Sequence, residues 1–260
     1  SYIEEQSRLT HELRMANEEI LQRERMKDEF INIAAHEMRT PVQPILGLSE
    51  LLKSMRTENK AVVTKEDEML DMIISNAKRL LLIEENILNV ARIENKLLKL
   101  NKEQCDLLEI VSNVIQDAKN QIGKNKVEVR YKPSELRTIS VYADRAKLTQ
   151  VVFNLLNNAI KFTKGGSITV DLEMDDKQAI VSIKDTGVGI DPRVEPNLFS
   201  KYITNSSSGT GLGLFISKTI IEAHGGKITA FNNIDGKGAT FRFSLPLVDI
   251  GISQNVERTI

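Results

Sequence analysis

Four short groups of residues in this chain have the types and spacing to do chemistry. The first is His36-Glu37-Met38-Arg39-Thr40-Pro41, an imidazole with a carboxylate next to it and a hydroxyl one turn on. Neutral imidazole is a competent nucleophile near pH 7. In the second, Asn154 to Phe162, the residues Asn154, Asn158 and Lys161 recur at i, i+4 and i+7 on one helix face. Leu155, Leu156, Ala159 and Phe162 can turn inward. Two amides and an ammonium on one face suit a magnesium polyphosphate, because a hard cation takes oxygen ligands and a lysine neutralises phosphate.

The third group, Asp185-Thr186-Gly187-Val188-Gly189-Ile190, directly follows a strand-like run. A carboxylate there can accept from an exocyclic amine, and the glycines let backbone approach a ring. The fourth, Gly209-Thr210-Gly211-Leu212-Gly213-Leu214, opens a helix, where unpaired amides and the positive dipole end attract phosphate. It does not follow the dinucleotide-fold pattern, since a long loop rather than a strand precedes it. Each group alone has an ordinary reading: a surface histidine, a solvated helix face, a glycine-rich turn, a helix start.

The elements that must position these groups follow from periodicity. Around His36, Ile31, Ala34, Met38, Val42, Ile45 and Leu52 form an apolar stripe, while Asn32, Arg39, Thr40 and Gln43 share the histidine's wet side. Pro41 and Pro44 withhold amides from the carbonyls of Glu37 and Thr40, which loosens the helix just past the histidine. Upstream, Leu9, Leu13, Ala16 and Ile20 have coiled-coil spacing, and the seam breaks at Arg23 and Lys27. The polar segment Thr57 to Lys65 ends this helix. A second, from about Glu66 to Leu98, carries Met69, Ile73, Leu80, Ile83, Ile87 and Val90 at three-four spacing, interrupted by Asn76. Such a hairpin has one apolar side, and two hairpins make a four-helix bundle, so a homodimer is expected.

Beyond Lys99 the texture changes. Helices are expected over Leu107 to Ile122, over Asp144 to Phe162 with Asp144 as cap, and over Leu212 to His224. Strands are expected at Val127 to Tyr131, Ile139 to Tyr142, Ser167 to Met174, Gln178 to Lys184, Lys227 to Asn232 and Ala239 to Leu245. The fold class is thus α+β and multidomain: an N-terminal coiled coil (1–28), a dimeric antiparallel helical bundle (29–99), an α/β sandwich with helices on one face of a mainly antiparallel sheet (103–248), and a loose tail (249–260).

Composition narrows the classes. The 260 residues include 35 basic and 36 acidic side chains, a net charge of -1, which gives no basic surface for nucleic acid. A single cysteine, Cys105, excludes an internal disulfide and any multi-cysteine metal site, and reads as a small buried residue. His11 reads as a coiled-coil surface residue. His224, ending a helix before two glycines, reads as a charged cap on the helix dipole. No apolar run reaches the roughly 20 residues of a membrane span, and no signal peptide opens the chain. The sequence starts in mid-helix, so it is expected to be a cytoplasmic piece of a longer protein, one that a missing N-terminal part could anchor to a membrane.

Together, in this order, the four groups resemble the sensor histidine kinases of two-component signalling, over about Phe30 to Leu247. The first region resembles their dimerisation and phosphoacceptor domain, with His36 to Pro41 as the H box. The second resembles their ATP-binding domain, a Bergerat-type sandwich. Its boxes are the N box Asn154 to Phe162, the G1 box Asp185 to Gly189, the F box around Phe199 and the G2 box Gly209 to Gly213. The resemblance implies ATP and Mg²⁺, with His36 as phosphoryl acceptor, Glu37 as base or orienting group, and Thr40 positioning water in dephosphorylation of the partner. It makes Asn158 the magnesium ligand, with Asn154 and Lys161 near the phosphates. Asp185, Gly187 and Gly189 fall to adenine; Gly209, Thr210, Gly211, Leu212 and Gly213 fall to the lid end and phosphate-binding helix start. It implies a response-regulator receiver domain as partner and an upstream sensor domain outside this sequence. The lid departs from the family pattern: Tyr202 stands at the second aromatic position and Thr204 at the basic one, leaving Lys201 as the substitute cation. Two rivals are an ATPase of the DNA-gyrase, mismatch-repair and chaperone type, and a non-catalytic nucleotide-binding dimeric scaffold. The ATPases use an N-box acid where this chain has Asn154.

Overall fold

The computed structural model describes residues 2–57, 63–122, 127–132, 138–203, 210–234 and 236–247. Gly209, the lid residues Thr204 to Ser208 and the tail 249–260 lie outside the described residues. The chain divides into two compact units, residues 1–92 with 201–212 and residues 93–200 with 213–260.

The first unit is built on two long helices. The helix α1 runs unbroken over Tyr2–Thr57 with Pro41 and Pro44 inside it, so the coiled-coil segment and the His36 segment are one element. Seam residues Leu9, Leu13 and Ile20 are exposed. The helix α2, Val63–Glu94, begins three residues before the expected Glu66 and stops four before Leu98. Its end is a turn at Lys96, whose φ of 55° breaks the helical run without a glycine. Along α2, Ile83 and Val90 are buried and Met69, Ile73, Leu80 and Ile87 half-buried, as the three-four spacing requires. Asn76 turns its amide onto its own helix, donating from Nδ2 to the Met72 carbonyl at 2.8 Å.

The second unit contains β1 (Glu103–Asp106), α3 (Leu107–Ile122), β2 (Val127–Lys132), β3 (Ser140–Ala143) and α4 (Arg145–Phe162). It continues with β4 (Gly166–Met174), β5 (Gln178–Asp185), α5 (Gly213–Ala223), β6 (Lys227–Asn232) and β7 (Ala239–Pro246). The main sheet has the order β2-β4-β5-β7-β6. Only β2 and β4 pair parallel, joined by a crossover through α4; the other neighbours are antiparallel. A separate ribbon pairs β1 with β3 and buries Cys105, whose thiol is pushed up by burial. The helices α3, α4 and α5 pack on the sheet. Alternation along the strands sends Ile168, Val170 and Leu172, then Ala179, Val181 and Ile183, then Phe241, Phe243 and Leu245 into that core. The β4–β5 hairpin closes where expected, with Asp175 Oδ1 accepting from the amides of Lys177 and Gln178. No described helix is long and apolar enough to cross a membrane.

Candidate active site

In the first unit His36 lies exposed on α1 with Asn32, Arg39, Thr40 and Gln43, as its helix face predicts. Ala34 and Pro41 are buried and Met38, Val42, Ile45 and Leu52 half-buried, but Ile31, expected in the same stripe, is 52% exposed. Glu37 corrects the picture of a carboxylate standing beside the ring in water. One residue on is about 100° round the helix, and Glu37 is buried, its Oε2 3.0 Å from Arg79 Nη2 on α2. The Thr40 hydroxyl donates to the His36 carbonyl at 2.9 Å.

In the second unit the helix α4 starts on Asp144, whose Oδ1 accepts from the Lys147 amide at 3.1 Å and whose Oδ2 accepts from Asn101 N at 2.9 Å. Its apolar face buries Leu148, Val151, Leu155 and Ala159, which leaves Asn154, Asn158 and Lys161 along an adjoining face. Asn154 is 7% exposed, and among the described residues its Nδ2 has no hydrogen-bond partner. A buried amide donor without an acceptor is costly unless a ligand supplies one. Asn158 is half-buried; Lys161 is exposed, its ammonium 5.5 Å from the centre of the Phe162 ring.

The strand β5 delivers Asp185. Because alternate residues share a face, Asp185 has the parity of Val181 and Ile183 and points to the helix side at the strand's end. It is 3% exposed; burial pushes its carboxyl above the usual range, against two backbone amides that pull it down. Gly187 N donates at 2.8 Å and Ala239 N at 3.3 Å, both to Oδ1, so Oδ2 is the oxygen left to accept from a ligand. Gly187 lies so close to the end of α4 that a β-carbon there would stand 2.4 Å from the Phe162 carbonyl oxygen. That carbonyl also accepts from Val188 N at 3.4 Å, which joins the Asp185 loop to the C-terminal end of the Asn154 helix. Gly189, with φ of 78°, makes the next bend, and Asn232 exchanges two hydrogen bonds with Ile190.

At the start of α5, a β-carbon on Gly213 would lie 3.7 Å from Asn154 Cγ, so this helix N-terminus abuts the orphaned amide. Asn154, Asp185, Gly187, Gly189 and Gly213 are therefore brought together. Thr210 and Leu212 are buried, and Gly211 accepts at its carbonyl from Tyr202 N at 3.1 Å. The residues present fit a nucleotide polyphosphate with its cation: a buried carboxylate oxygen for an amine, an orphaned amide and a helix start for phosphate, and Asn158 for a metal that prefers oxygen.

Sequence reasoning missed three residues. Arg79 reads as an ordinary charge on an amphipathic helix. Asn233, buried, donates from Nδ2 to the carbonyls of Asp185 and Lys237 at 2.8 and 2.7 Å and accepts from Thr240 Oγ1 at 2.7 Å. It thereby fixes the backbone of Asp185, and the only local signal is an Asn pair followed by glycines. His224 is not the charged cap that its place at a helix end suggests. It is 4% exposed, Nδ1 donates to the Ile220 carbonyl at 2.7 Å and Nε2 accepts from Asp144 N at 2.9 Å. Burial lowers its pKa and Nε2 is used as an acceptor, both of which favour the neutral ring, and the side chain links the end of α5 to the start of α4.

Comparison with known proteins follows the same division. Residues 26–96 match the family of His Kinase A (phospho-acceptor) domains, and residues 143–249 match the histidine kinase-, DNA gyrase B-, and HSP90-like ATPases. The sensor protein SrrB of Staphylococcus aureus is 34% identical over 242 residues, 89% of this chain, which spans only 40% of SrrB. The solved catalytic domain of the histidine kinase ThkA is 32% identical, with 56% of this chain covering 96% of that one at a TM-score of 0.52. Full-length ShkA, solved in complex with AMPPNP, is 26% identical with a TM-score of 0.60, over 85% of this chain and 46% of that one. ThkA has also been solved in complex with the response regulator TrrA, where the likeness covers 82% of this chain and 59% of that one, at 27% identity and a TM-score of 0.55. With both domain types in order, and its second unit matching nearly the whole of a histidine kinase catalytic domain, the chain belongs to the sensor histidine kinases of two-component systems.

Proposed function

We propose that this chain phosphorylates itself on His36 from ATP and passes the group to an aspartate of a response-regulator receiver domain, and that it also dephosphorylates that partner. The observation that carries the reading is the orphaned Asn154 amide, buried between the amide-bearing face of α4 and the start of α5 in a chain that also exposes His36. ATP supplies the phosphoryl group, with Mg²⁺ neutralising its charge. Asn158 holds the metal, Asn154 and Lys161 the phosphates, and Asp185 Oδ2 the adenine amine; the Gly209–Gly213 segment shapes the phosphate side. His36 attacks through a ring nitrogen, with Glu37 taking the other nitrogen's proton, and Thr40 orients water in the reverse hydrolysis. Such transfer needs positioning and charge neutralisation above all.

A homodimer supports the helical unit. Leu70, Ile74, Leu81 and Leu88 stand exposed on α2 at spacings of four, seven and seven, a second apolar stripe that one hairpin does not cover. The likeness to ThkA, solved with its regulator, supports a receiver domain as the phosphoryl acceptor. An upstream sensor domain and a cytoplasmic location for this portion belong to the same reading.

Incubation with γ-labelled ATP tests it. Acid-labile, base-stable label on the protein, absent from His36→Gln, is the expected result. Released phosphate without protein label would establish the ATPase reading instead, which the amide at position 154 disfavours, and neither product would leave a nucleotide-binding scaffold.

A further inference from the structure

We propose that Arg79 is a positioning residue for the phosphoacceptor, a latch that holds the Glu37 carboxylate against α2 and withholds it from His36. The inference rests on the reading of Glu37 as the base.

Three observations carry it. First, the Glu37 side chain is 6% exposed and its Oε2 is 3.0 Å from Arg79 Nη2, while the Arg79 side chain is 42% exposed. A buried carboxylate needs a countercharge, and this one comes from forty-two residues away, across the hairpin. Secondly, His36 next door is exposed, so the acid engaged with Arg79 and the ring sit on different faces of one helix. Thirdly, Pro41 lies inside α1 four residues after Glu37 and has no amide to give the Glu37 carbonyl. The turn that carries Glu37 therefore lacks one backbone bond of a regular helix, and its side chain can be redirected at lower cost. The half-exposed Arg79 is the end of the latch that solvent or a bound protein can reach.

The step that the latch controls is a proton transfer. A lone pair on His36 Nε2 forms the N–P bond to the γ-phosphorus; the bond from that phosphorus to the oxygen bridging to the β-phosphate breaks, and ADP leaves with the electron pair. The proton on Nδ1 then has to go to a base. With Oε2 committed to Arg79, Glu37 does not receive it; released, the carboxylate turns to Nδ1 and does.

The test uses the whole chain as its dimer, labelled with γ-labelled ATP under single-turnover conditions between pH 6 and 9. Arg79→Gln is expected to raise the first-order labelling rate about fivefold near neutral pH, a fraction of the roughly hundredfold or more a general base contributes. The KM for ATP stays unchanged, since Arg79 is assigned no contact with nucleotide. The rise should disappear in the Glu37→Gln, Arg79→Gln double variant, and the pH profile of Arg79→Gln should differ from wild type on its acid limb. Arg79→Lys, which keeps the charge but not the planar fork, should give a smaller rise in the same direction, and it carries the test if Arg79→Gln does not form dimers on sizing. A wild-type or slower rate with unchanged KM in the dimeric variants overturns the latch. Wild-type labelling by Glu37→Gln alone overturns the base reading and the latch with it, whereas slow labelling by Glu37→Gln with no gain from the Arg79 variants overturns the latch only.

Discussion

The neutral state of His224 makes the nucleotide-binding unit sensitive to mild acid, and the structure sets the sign. Both ring nitrogens are used: Nδ1–H donates to Ile220 O and Nε2 accepts from the Asp144 amide, so a second proton on Nε2 would face an N–H rather than an acceptor. Burial is the largest influence lowering the pKa from 6.5, and the Lys102 charge adds to it; the Ile220 carbonyl and the Asp144 carboxylate pull the other way. The folded pKa therefore lies below the unfolded one, and on acidification the unfolded chain binds the proton first. The stability that His224 provides is complete above about pH 6.5 and is lost as pH falls below that toward the folded value. Replacing the ring by His224→Phe keeps an aromatic ring in place and removes the acceptor, leaving the buried Asp144 N–H without a partner at a cost of about 1–3 kcal/mol. The Ile220 carbonyl keeps the His224 backbone amide at 3.1 Å, so only one group is orphaned. At about 2–4 °C per kcal/mol for a domain of this size, the melting temperature should fall by about 2–12 °C at pH 7.5. His224→Gln, whose amide oxygen can accept from Asp144 N–H, should lose less. Calorimetry of the whole chain reads this, with the relevant transition identified as the one raised by an ATP analogue. Between pH 7.5 and 5.5 the wild type should lose more stability than His224→Gln. Parallel pH slopes for the two proteins would show that the ring is not held neutral and would refute the reasoning.

The remaining predictions concern the two chemical centres. Gly187→Ala places a methyl 2.4 Å from the Phe162 carbonyl oxygen and 2.9 Å from Asp185 Oδ1, so the loop must leave the end of α4. ATP affinity by titration calorimetry should fall at least about tenfold, or about 1.4 kcal/mol, and an unchanged Kd would mean that the loop moves freely. Asn158→Ala should abolish His36 labelling while the dimer persists on sizing; loss of the dimer would contradict the metal-ligand assignment. Thr40→Ala removes the hydroxyl that donates to the His36 carbonyl. It should abolish phosphatase activity with autophosphorylation largely kept, and equal loss of both would remove Thr40 from its role with water.

Most of the framework was legible because its signals are local. Helix faces, the Asp144 cap, the Asp175 turn and the strand parity of Asp185 all lie within a few residues of the feature they determine. The α2 terminus was not, because Leu97 and Leu98 continue the apolar pattern while the chain turns at Lys96 in a conformation that composition does not announce. The misreadings of polar groups each involve a partner distant in sequence. His224 takes its partner from Asp144, eighty residues upstream, Asn233 from Asp185, forty-eight upstream, and Glu37 from Arg79, forty-two downstream.

These three long-range pairs share a physical logic that the motifs do not reveal. A motif states which group reacts; the distant partner states which way it faces and in what protonation state. Glu37 shows the difference. Adjacency to His36 in sequence suggests a base at the ring, yet helical geometry puts the two side chains about 100° apart, and burial of one forces it to find a cation. Arg79 meets that need from the opposite helix at 3.0 Å. Adjacency in the sequence thus pairs His36 with Glu37, whereas the bonded pair in the fold is Glu37 and Arg79; on the proposed reading of Glu37 as the base, whatever shifts the carboxylate between those partners governs whether the imidazole has one.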